Sequence, residues 1–269
     1  MKKNSRRIHS IIFIFFLIFA GRAQENSSDE GITLRILSYN IHHGETTNGD
    51  LDLKAVAKVI NEVNPDLVAL QEVDYKTDRV EQRDILSELA TLTKMPYSFF
   101  GKAVNYDGGE YGVGVLSKWE FLETTNIPLP HEPGKEPRTM AGGTILVESG
   151  DTITFFSTHL DHLKDDTERI SQVRKIENIF SKSRYPKILA GDLNDVPGST
   201  SIRILESNLK SSYDKDDPQP TFPSSSPIKK IDYVMGYPKE KWKIVETKVI
   251  CDKIASDHCA YLVVLKLLP

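Results

Sequence analysis

The sequence has too little cysteine, glycine or proline to indicate a disulfide-stabilised, collagen-like or low-complexity protein. Only two of its 269 residues are cysteine, and 16 are glycine and 14 proline. This composition excludes a disulfide framework and is typical of a globular protein. With 39% hydrophobic residues, the chain is long enough to form one large or two small domains with a sizeable core.

The longest apolar run is too short to span a membrane. Residues 11–20 (IIFIFFLIFA) are ten apolar residues, about half of the ~20 that a spanning helix needs. Basic residues precede this run and small residues follow it as far as Ala23, which is the pattern of a secretory signal peptide. No cysteine stands directly after the run to carry a lipid. We therefore expect cleavage after Ala23, export to the periplasm or beyond, and no stable membrane anchor.

A strong positive charge is also absent. The net charge is −4, and the predicted signal peptide (residues 1–23) contains five basic residues and no acid, so its removal leaves −9. A surface that follows a nucleic-acid backbone is normally basic. The acidic mature chain therefore disfavours a nucleic-acid partner, although bound metal ions would offset part of the negative charge.

Apolar runs alternate with helical patterns beyond a polar linker at residues 24–31, and this alternation predicts an α/β domain over residues 32–269. Strand-like segments are residues 33–40, 66–72, 112–117, 144–148, 152–159, 187–192, 230–235, 242–251 and 259–267. Apolar residues at helical spacing mark helices around residues 56–63, 85–92 and 170–180, and Asp52 is the predicted cap of the first. Many strands with few helices between them fit two mixed sheets with helices outside.

Four of the predicted strands end in a polar side chain: Asn40, Glu72, His159 and Asp192. In α/β proteins, ligands bind at the carboxyl ends of the strands. Any one of these residues by itself would be explained by a salt bridge or a cap. Several converging carboxylates, however, repel one another unless a cation lies among them.

The second half of the chain adds further acids, an amide and a histidine. Asn194 follows Asp192 by two positions, so both side chains can face one side of an extended segment. Asp232 lies between apolar neighbours, and residues 256–258 (SDH) place an acid beside a histidine. A histidine oriented by a carboxylate is a common general base. Oxygen-rich ligands favour Mg²⁺ or Mn²⁺ over zinc, and such ions usually act on phosphoryl oxygens.

Seven short motifs then occur in the order found in one known family. They are Tyr39-Asn40-Ile41-His42, Leu70-Gln71-Glu72-Val73-Asp74, Tyr111-Gly112-Val113-Gly114-Val115-Leu116-Ser117, Ser157-Thr158-His159-Leu160, Gly191-Asp192-Leu193-Asn194, Ile231-Asp232-Tyr233 and Ser256-Asp257-His258. Through them, residues 32–267 resemble the endonuclease/exonuclease/phosphatase superfamily. That superfamily includes pancreatic deoxyribonuclease, abasic-site endonucleases, neutral sphingomyelinases and inositol polyphosphate 5-phosphatases. Each motif is short, but all of them in this order make the resemblance specific.

The resemblance implies a fold and a metal region. The implied fold is a four-layer α/β/β/α sandwich of two mixed sheets flanked by helices, with the site where the loops of the two sheets meet. Glu72 is implied as the principal ligand of Mg²⁺, or of Mn²⁺ as the other candidate. Asn40 would lie beside Glu72 and contact metal or phosphate, and Asp257 would complete the metal region.

The resemblance also implies catalytic roles. His159 would hydrogen-bond the phosphate and stabilise charge in the transition state. Asp192 would orient or deprotonate the attacking water, and Asn194 would position the phosphate. Asp232 and His258 would form the oriented acid–histidine pair. The implied reaction is in-line attack of metal-assisted water on a phosphoester, without a covalent enzyme intermediate.

Three other features receive structural interpretations. Arg138 could reach a phosphate, but we expect a surface arginine in a loop ion pair. His42 and His43 stand where many nuclease relatives have other residues, which disfavours a nucleic-acid substrate and allows His42 to line the pocket. Cys251 and Cys259 could pair across a hairpin in an exported protein, but we expect two small buried residues.

We therefore predict an exported, metal-dependent phosphoester hydrolase that acts on a small or lipid-derived phosphoester. A sugar phosphate, an inositol phosphate or a phospholipid head group fits this class. The alternative in the same family is an extracytoplasmic nuclease. The alternative of another class is an inactive binding module, which predicts loss of Glu72, Asp192 or His258, and all three are present. Oligomeric state and the choice between monoester and diester stay open.

Overall fold

The structure is a computed structural model that describes residues 31–182 and 184–269. The predicted signal peptide and residues 24–30 of the predicted linker lie outside these ranges. Among the described residues, no helix is long and apolar enough to cross a membrane.

Two mixed six-stranded sheets form the centre of the fold. The strands are β1 (Thr33–Asn40), β2 (Leu67–Tyr75), β3 (Tyr97–Tyr106), β4 (Gly109–Ser117), β5 (Phe121–Pro128), β6 (Thr139–Leu146), β7 (Thr152–His159), β8 (Lys187–Asp192), β9 (Lys210–Ser211), β10 (Asp232–Tyr237), β11 (Trp242–Ile250) and β12 (Ala260–Leu267). The first sheet has the order β11-β12-β1-β2-β4-β3, and the second has the order β5-β6-β7-β8-β10-β9. Each sheet has one parallel pair, β1 with β2 and β7 with β8.

Helices cover the outer faces of both sheets. They are α1 (Leu53–Val63), α2 (Ile85–Thr93), α3 (Thr167–Ser181) and α4 (Thr200–Asn208). Successive residues of a strand point to opposite faces, so Ile36 packs between the sheets while Leu37 packs against α1 and α2. A third apolar cluster lies under α3 and α4. The result is the four-layer α/β/β/α sandwich that the family resemblance implied, and it confirms the two mixed sheets with outer helices predicted from the sequence pattern.

The beginning of α1 shows how local sequence fixes an element. Asp52 accepts hydrogen bonds through Oδ1 from the backbone nitrogens of Lys54 (2.9 Å) and Ala55 (3.2 Å), as expected for a helix cap. At the other end, Asn64 adopts a left-handed conformation and the chain continues into Pro65. Proline cannot extend the preceding helix, so the boundary is sharp.

Some elements were not predicted from the sequence. Strands β3 and β5 are the outermost members of their sheets, and neither has a clean alternation of buried and exposed residues. Strand β6 begins five residues earlier than predicted, at Thr139, because strand pairing incorporates Gly142 and Gly143 despite their low strand preference. Helix α4 was also missed.

Cys251 and Cys259 form a disulfide, so the expectation of two unpaired buried cysteines is wrong. Pairing of β11 with β12 places Ile250 opposite Ala260. Cys251, directly after β11, and Cys259, directly before β12, are therefore brought together. The Cα atoms of the two cysteines are 4.3 Å apart. Because the bond closes the loop that contains Asp257 and His258, it restricts the backbone beside two predicted site residues.

We predict that replacing both Cys251 and Cys259 by serine lowers the free energy of unfolding by about 2 kcal/mol, because the unfolded chain regains the freedom of the closed loop. Urea unfolding followed by circular dichroism would measure this change. Reduced wild-type protein is the matched control and should show a similar loss, whereas the double variant should not respond to reductant. If reduction did not change the urea midpoint of the wild-type protein, the prediction would be contradicted.

Candidate active site

The predicted polar residues at the strand ends come together where the two sheets meet. Asn40 closes β1 in the first sheet, and its Nδ2 donates to Glu72 Oε1 (3.0 Å) in the same sheet. The same Nδ2 donates to Asp192 Oδ2 (3.3 Å), which belongs to the second sheet. One buried amide therefore joins carboxylates from both sheets.

Strand register aligns three functional side chains in the second sheet. Parallel pairing of β7 and β8 places His159 opposite Asp192. Antiparallel pairing of β8 and β10 places Asp232 opposite the same residue. All three are buried, and His159 Nε2 lies 3.5 Å from Asp192 Oδ2. The row is thus fixed by backbone hydrogen bonds.

His258 enters this row from the loop before β12. Its Nδ1 lies 3.1 Å from Asp232 Oδ2, and its Nε2 lies 3.7 Å from Asp192 Oδ2. The ring of Phe222 packs against the imidazole at a centroid distance of 4.7 Å. Ser256 Oγ donates to the carbonyl oxygen of Asn40 (2.8 Å), which ties the loop to the end of β1. The structure therefore brings the predicted acid–histidine pair into direct contact.

The two histidines have opposite electrostatic environments. Burial alone lowers the pKa of His258, but the carboxylate of Asp232, followed by those of Asp192 and Asp257, raises this pKa to about 10. Burial lowers the pKa of His159 well below its ordinary value, and the positive charge of Arg138 lowers it further. At neutral pH, His258 is therefore a cation and His159 is neutral.

Asp192 is the acid that both histidines approach. Burial raises the pKa of this carboxyl group, and the charge of His258 opposes the rise. Its Oδ1 accepts a hydrogen bond from the backbone nitrogen of Asn194 (2.9 Å). Asn194 has a positive φ of 51°, and its side-chain Nδ2 donates to the carbonyl oxygen of Leu160 (3.0 Å). The structure therefore places Asn194 two residues after Asp192, just beyond the end of β8.

Arg138 is buried, so the expectation of a surface arginine is wrong, although the expected loop ion pair with Glu136 forms (3.2 Å). Its Nη1 donates to His159 Nδ1 (3.2 Å), and its Nη2 donates to Nδ1 of the exposed His162 (3.1 Å). A guanidinium only donates, so Nδ1 of the neutral His159 accepts and its proton lies on Nε2. Sequence reasoning missed this contact because a loop arginine gives no local signal of burial.

Glu72 does not end its strand as predicted, because β2 continues to Tyr75 and Glu72 lies at an irregularity within it. Pairing of β2 with β4 shifts register between Gln71 and Val73, and Glu72 itself has a φ of 56°. Such a bulge redirects a side chain out of the regular alternation. The half-buried carboxylate is therefore available beside Asn40, which fits the ligand role that the sequence predicted.

The donors around Glu72 fit a divalent cation. His42, His43 and Glu72 each offer one ligand atom, and these atoms all lie within 4.8 Å of one another. Nδ1 of His43 is buried and has no hydrogen-bond partner among the described residues. Burial, followed by the charge of Arg79, lowers the pKa of His43, which keeps its imidazole neutral and able to bind a metal. Sequence reasoning had assigned neither histidine to the metal region.

Asp257 is half-buried on the disulfide-closed loop. Its backbone carbonyl oxygen accepts a hydrogen bond from the nitrogen of Ser224 (2.6 Å), and Ser256 Oγ lies 3.5 Å from its Oδ1. Its negative charge contributes to the raised pKa of His258. Its predicted role as a metal ligand stays a prediction.

A second set of potential metal donors consists of Asp192, Asp232 and His258, whose ligand atoms are also mutually within 4.8 Å. Here the protonated His258 lies between the two acids and offsets one of their negative charges. These three residues therefore form a buried ion-paired group.

Residues 37–258 match the Endonuclease/Exonuclease/phosphatase family. The match spans most of the chain, and the chain belongs to this family. Its members are hydrolases that act on phosphoesters. No curated protein sequence matches this chain.

Solved structures agree with the family assignment. An endonuclease/exonuclease/phosphatase from Beutenbergia cavernae is 26% identical with a TM-score of 0.73, covering 87% of this chain and 72% of that one. A family protein from Bacteroides thetaiotaomicron is 20% identical with a TM-score of 0.72, covering 88% and 99%. The mannosyl-6-phosphatase of Bacteroides thetaiotaomicron is 19% identical with a TM-score of 0.64, covering 86% and 99%. The latter two show a shared fold.

We predict that replacing Asp232 by asparagine lowers the pKa of His258 by about 1–3 pH units, because the nearest compensating charge is removed. An NMR titration of the imidazole in metal-free protein would measure the change. In the wild type, the charged His258 stabilises the fold fully below pH 6.5, and this contribution is lost as the pH rises towards 10.

The exposed Asp216 provides the matched control for this titration, because its carboxylate is not among the groups that shift His258. Replacing Asp216 by asparagine should leave the titration of His258 in place. Equal titration curves for wild type and the Asp232→Asn variant would show that Asp232 does not set the charge of His258.

Proposed function

We propose that this protein is an exported, metal-dependent hydrolase of small or lipid-derived phosphoesters. The observation that supports this most is that a cationic histidine, His258, and a neutral one, His159, both lie against the buried carboxylate of Asp192. His159 Nε2 and His258 Nε2 lie 3.5 Å and 3.7 Å from Asp192 Oδ2. Such an arrangement provides a proton acceptor and two donors at one point, which in-line attack of water on phosphorus requires.

The chain's own residues suit this chemistry. The raised pKa of Asp192 makes this carboxylate a stronger proton acceptor for the attacking water than an ordinary aspartate. His258 supplies a positive charge for the phosphoryl oxygens, and Asp232 keeps its ring oriented. His159 donates from Nε2, since Arg138 already occupies Nδ1. Asn194 is proposed to position the phosphate.

The metal region is proposed to centre on Glu72, with Asn40 and Asp257 nearby. These oxygen ligands suit Mg²⁺, which is the proposed ion, and Mn²⁺ is the other candidate. Additional binding through His42 or His43 would favour Mn²⁺ over Mg²⁺. When bound, a divalent ion supplies a Lewis acid that polarises the phosphoryl group.

Charge and targeting favour a small substrate outside the cytoplasm. The predicted signal peptide supports export, and its removal takes the net charge from −4 to −9. An acidic chain is poorly suited to follow a nucleic-acid backbone. One structural neighbour is named a mannosyl-6-phosphatase, so this fold accommodates hydrolysis of a small phosphoester.

We predict that Glu72→Gln and His258→Ala each reduce hydrolysis of p-nitrophenyl phosphate and bis-p-nitrophenyl phosphate by about 10²–10⁴-fold, because each removes a group that stabilises transition-state charge. Assays with Mg²⁺ or Mn²⁺, before and after chelation, would measure this loss. Preferential hydrolysis of the monoester would indicate a phosphatase, and preferential hydrolysis of the diester would indicate a phosphodiesterase.

His131→Ala is the matched control, because His131 is an exposed loop histidine. It should retain full activity. Wild-type protein that hydrolyses neither ester with either metal would support the inactive binding module instead. Degradation of plasmid DNA in preference to both esters would support the nuclease.

A further inference from the structure

A cavity of about 300 Å³ opens beside Glu72, and neither Asp192 nor the two histidines next to it line this cavity. It is lined by Glu72, Arg79, Val104, Tyr106, Tyr111 and Glu136. This volume lies at the lower end of the range for small-molecule sites. A single ring-sized group fits such a cavity better than a polymer or an extended lipid chain.

Arg79 is held rigidly in the wall of the cavity. Its Nε and Nη2 donate to the two oxygens of the buried Asp74 at 2.7 Å and 2.8 Å. Its guanidinium carbon also lies 4.7 Å from the ring centroid of Tyr106 and 5.7 Å from that of Tyr111. The arginine and both rings are therefore arranged before any ligand binds, which reduces the entropy lost on binding.

The two tyrosines offer different surfaces. Tyr106 is 46% exposed, so nearly half of this side chain is available to a ligand. Tyr111 is partly buried and lines the cavity together with Glu72. Its phenol hydroxyl can donate or accept a hydrogen bond. Together they supply an apolar ring surface and a polar group, as a hydroxylated ring requires.

The charges of the wall exclude two other kinds of ligand. A quaternary ammonium group binds on tyrosine faces, but Arg79 already places a positive charge against both rings. A second anionic group would find no uncompensated cation among the described residues of the wall, because Asp74 already neutralises Arg79 and Glu136 is paired with Arg138. The class of ligand that remains is a neutral ring with several hydroxyl groups.

We propose that this cavity binds the leaving group of the phosphoester as a single neutral hydroxylated ring, either a sugar or a cyclitol. This inference rests on the proposed function. Hydrolysis would form a bond from the water oxygen to phosphorus and break the bond from phosphorus to the ester oxygen that the ring carries as a substituent. That oxygen takes up a proton released by the attacking water and leaves as a hydroxyl group of the free sugar or cyclitol, and inorganic phosphate is the second product.

The first test compares a ring substrate with an acyclic one. We expect Tyr106→Ala and Val104→Trp each to lower the ratio of kcat/KM for glucose 6-phosphate to that for glycerol 3-phosphate by about tenfold. Removal of the ring surface or filling of the cavity weakens only the contacts that the ring makes. Tyr106→Phe keeps the ring and should retain most of the ratio.

Tyr185→Ala is the matched control, since Tyr185 is an exposed tyrosine that precedes β8 at the end opposite Asp192. It should not change the ratio. myo-Inositol 1-phosphate in place of glucose 6-phosphate distinguishes a cyclitol from a sugar, and phosphatidylinositol vesicles distinguish a lipid source from a soluble one. Equal losses on ring and acyclic substrates in the cavity variants would overturn the proposal.

The second test does not depend on turnover. Saturation-transfer NMR on wild-type protein with chelator should show binding of glucose or myo-inositol, and Val104→Trp should abolish it. Choline chloride should give no signal. Binding of choline, or of neither ring, would overturn the proposal. Hydrolysis of glycerol 3-phosphate without ring binding would contradict this inference alone, whereas absence of hydrolysis of every phosphoester would contradict the proposed function and the leaving-group assignment with it.

Discussion

The hydrogen bonds of Asn40 connect the two halves of the site. Its amide donates to Glu72 within the first sheet and to Asp192 across the interface to the second. This bridge requires the sheets to pack face to face in one alignment, which the apolar cluster between Ile36 and Phe155 provides. The bridge thus places the proposed metal region beside the proposed general base, and displacement of either sheet would separate them.

Burial determines the chemical state of the central residues. An isolated carboxylate in this interior would be strongly destabilising, and Asp192 and Asp232 are tolerated because His258 lies between them. The pKa of His159 is instead lowered, first by burial and then by the positive charge of Arg138, whose Nη1 lies 3.2 Å from its Nδ1. The same protein interior therefore keeps one histidine cationic and the other neutral. This difference suits the different roles that are proposed for the two histidines in phosphoester hydrolysis.

The periphery of the site is as constrained as its centre. A disulfide closes the loop with His258, and Ser256 ties that loop to β1. On the other side, the ion pair of Arg79 with Asp74 fixes the wall of the cavity next to Glu72. His159 and Asp192 lie at strand ends that regular pairing holds in place, whereas the cavity is built mainly from β3, β4 and the segment that contains Arg79. The two regions meet at Glu72, so the cavity lies directly beside the proposed metal region.

Local periodicity in the sequence predicted two mixed sheets with outer helices, and side chains that interrupt apolar runs marked the polar ends of β1, β7 and β8. The family and the four-layer sandwich were inferred from a resemblance carried by seven motifs in order, and Glu72, predicted to end its strand, lies inside β2. The tertiary structure was needed to show that Arg138 is buried, that Cys251 pairs with Cys259, and that His42 and His43 lie beside Glu72. It also decided the charge of each histidine and the cavity at Tyr106. The reason is that burial and pairing depend on which distant elements pack together, and no single segment of the chain contains that information.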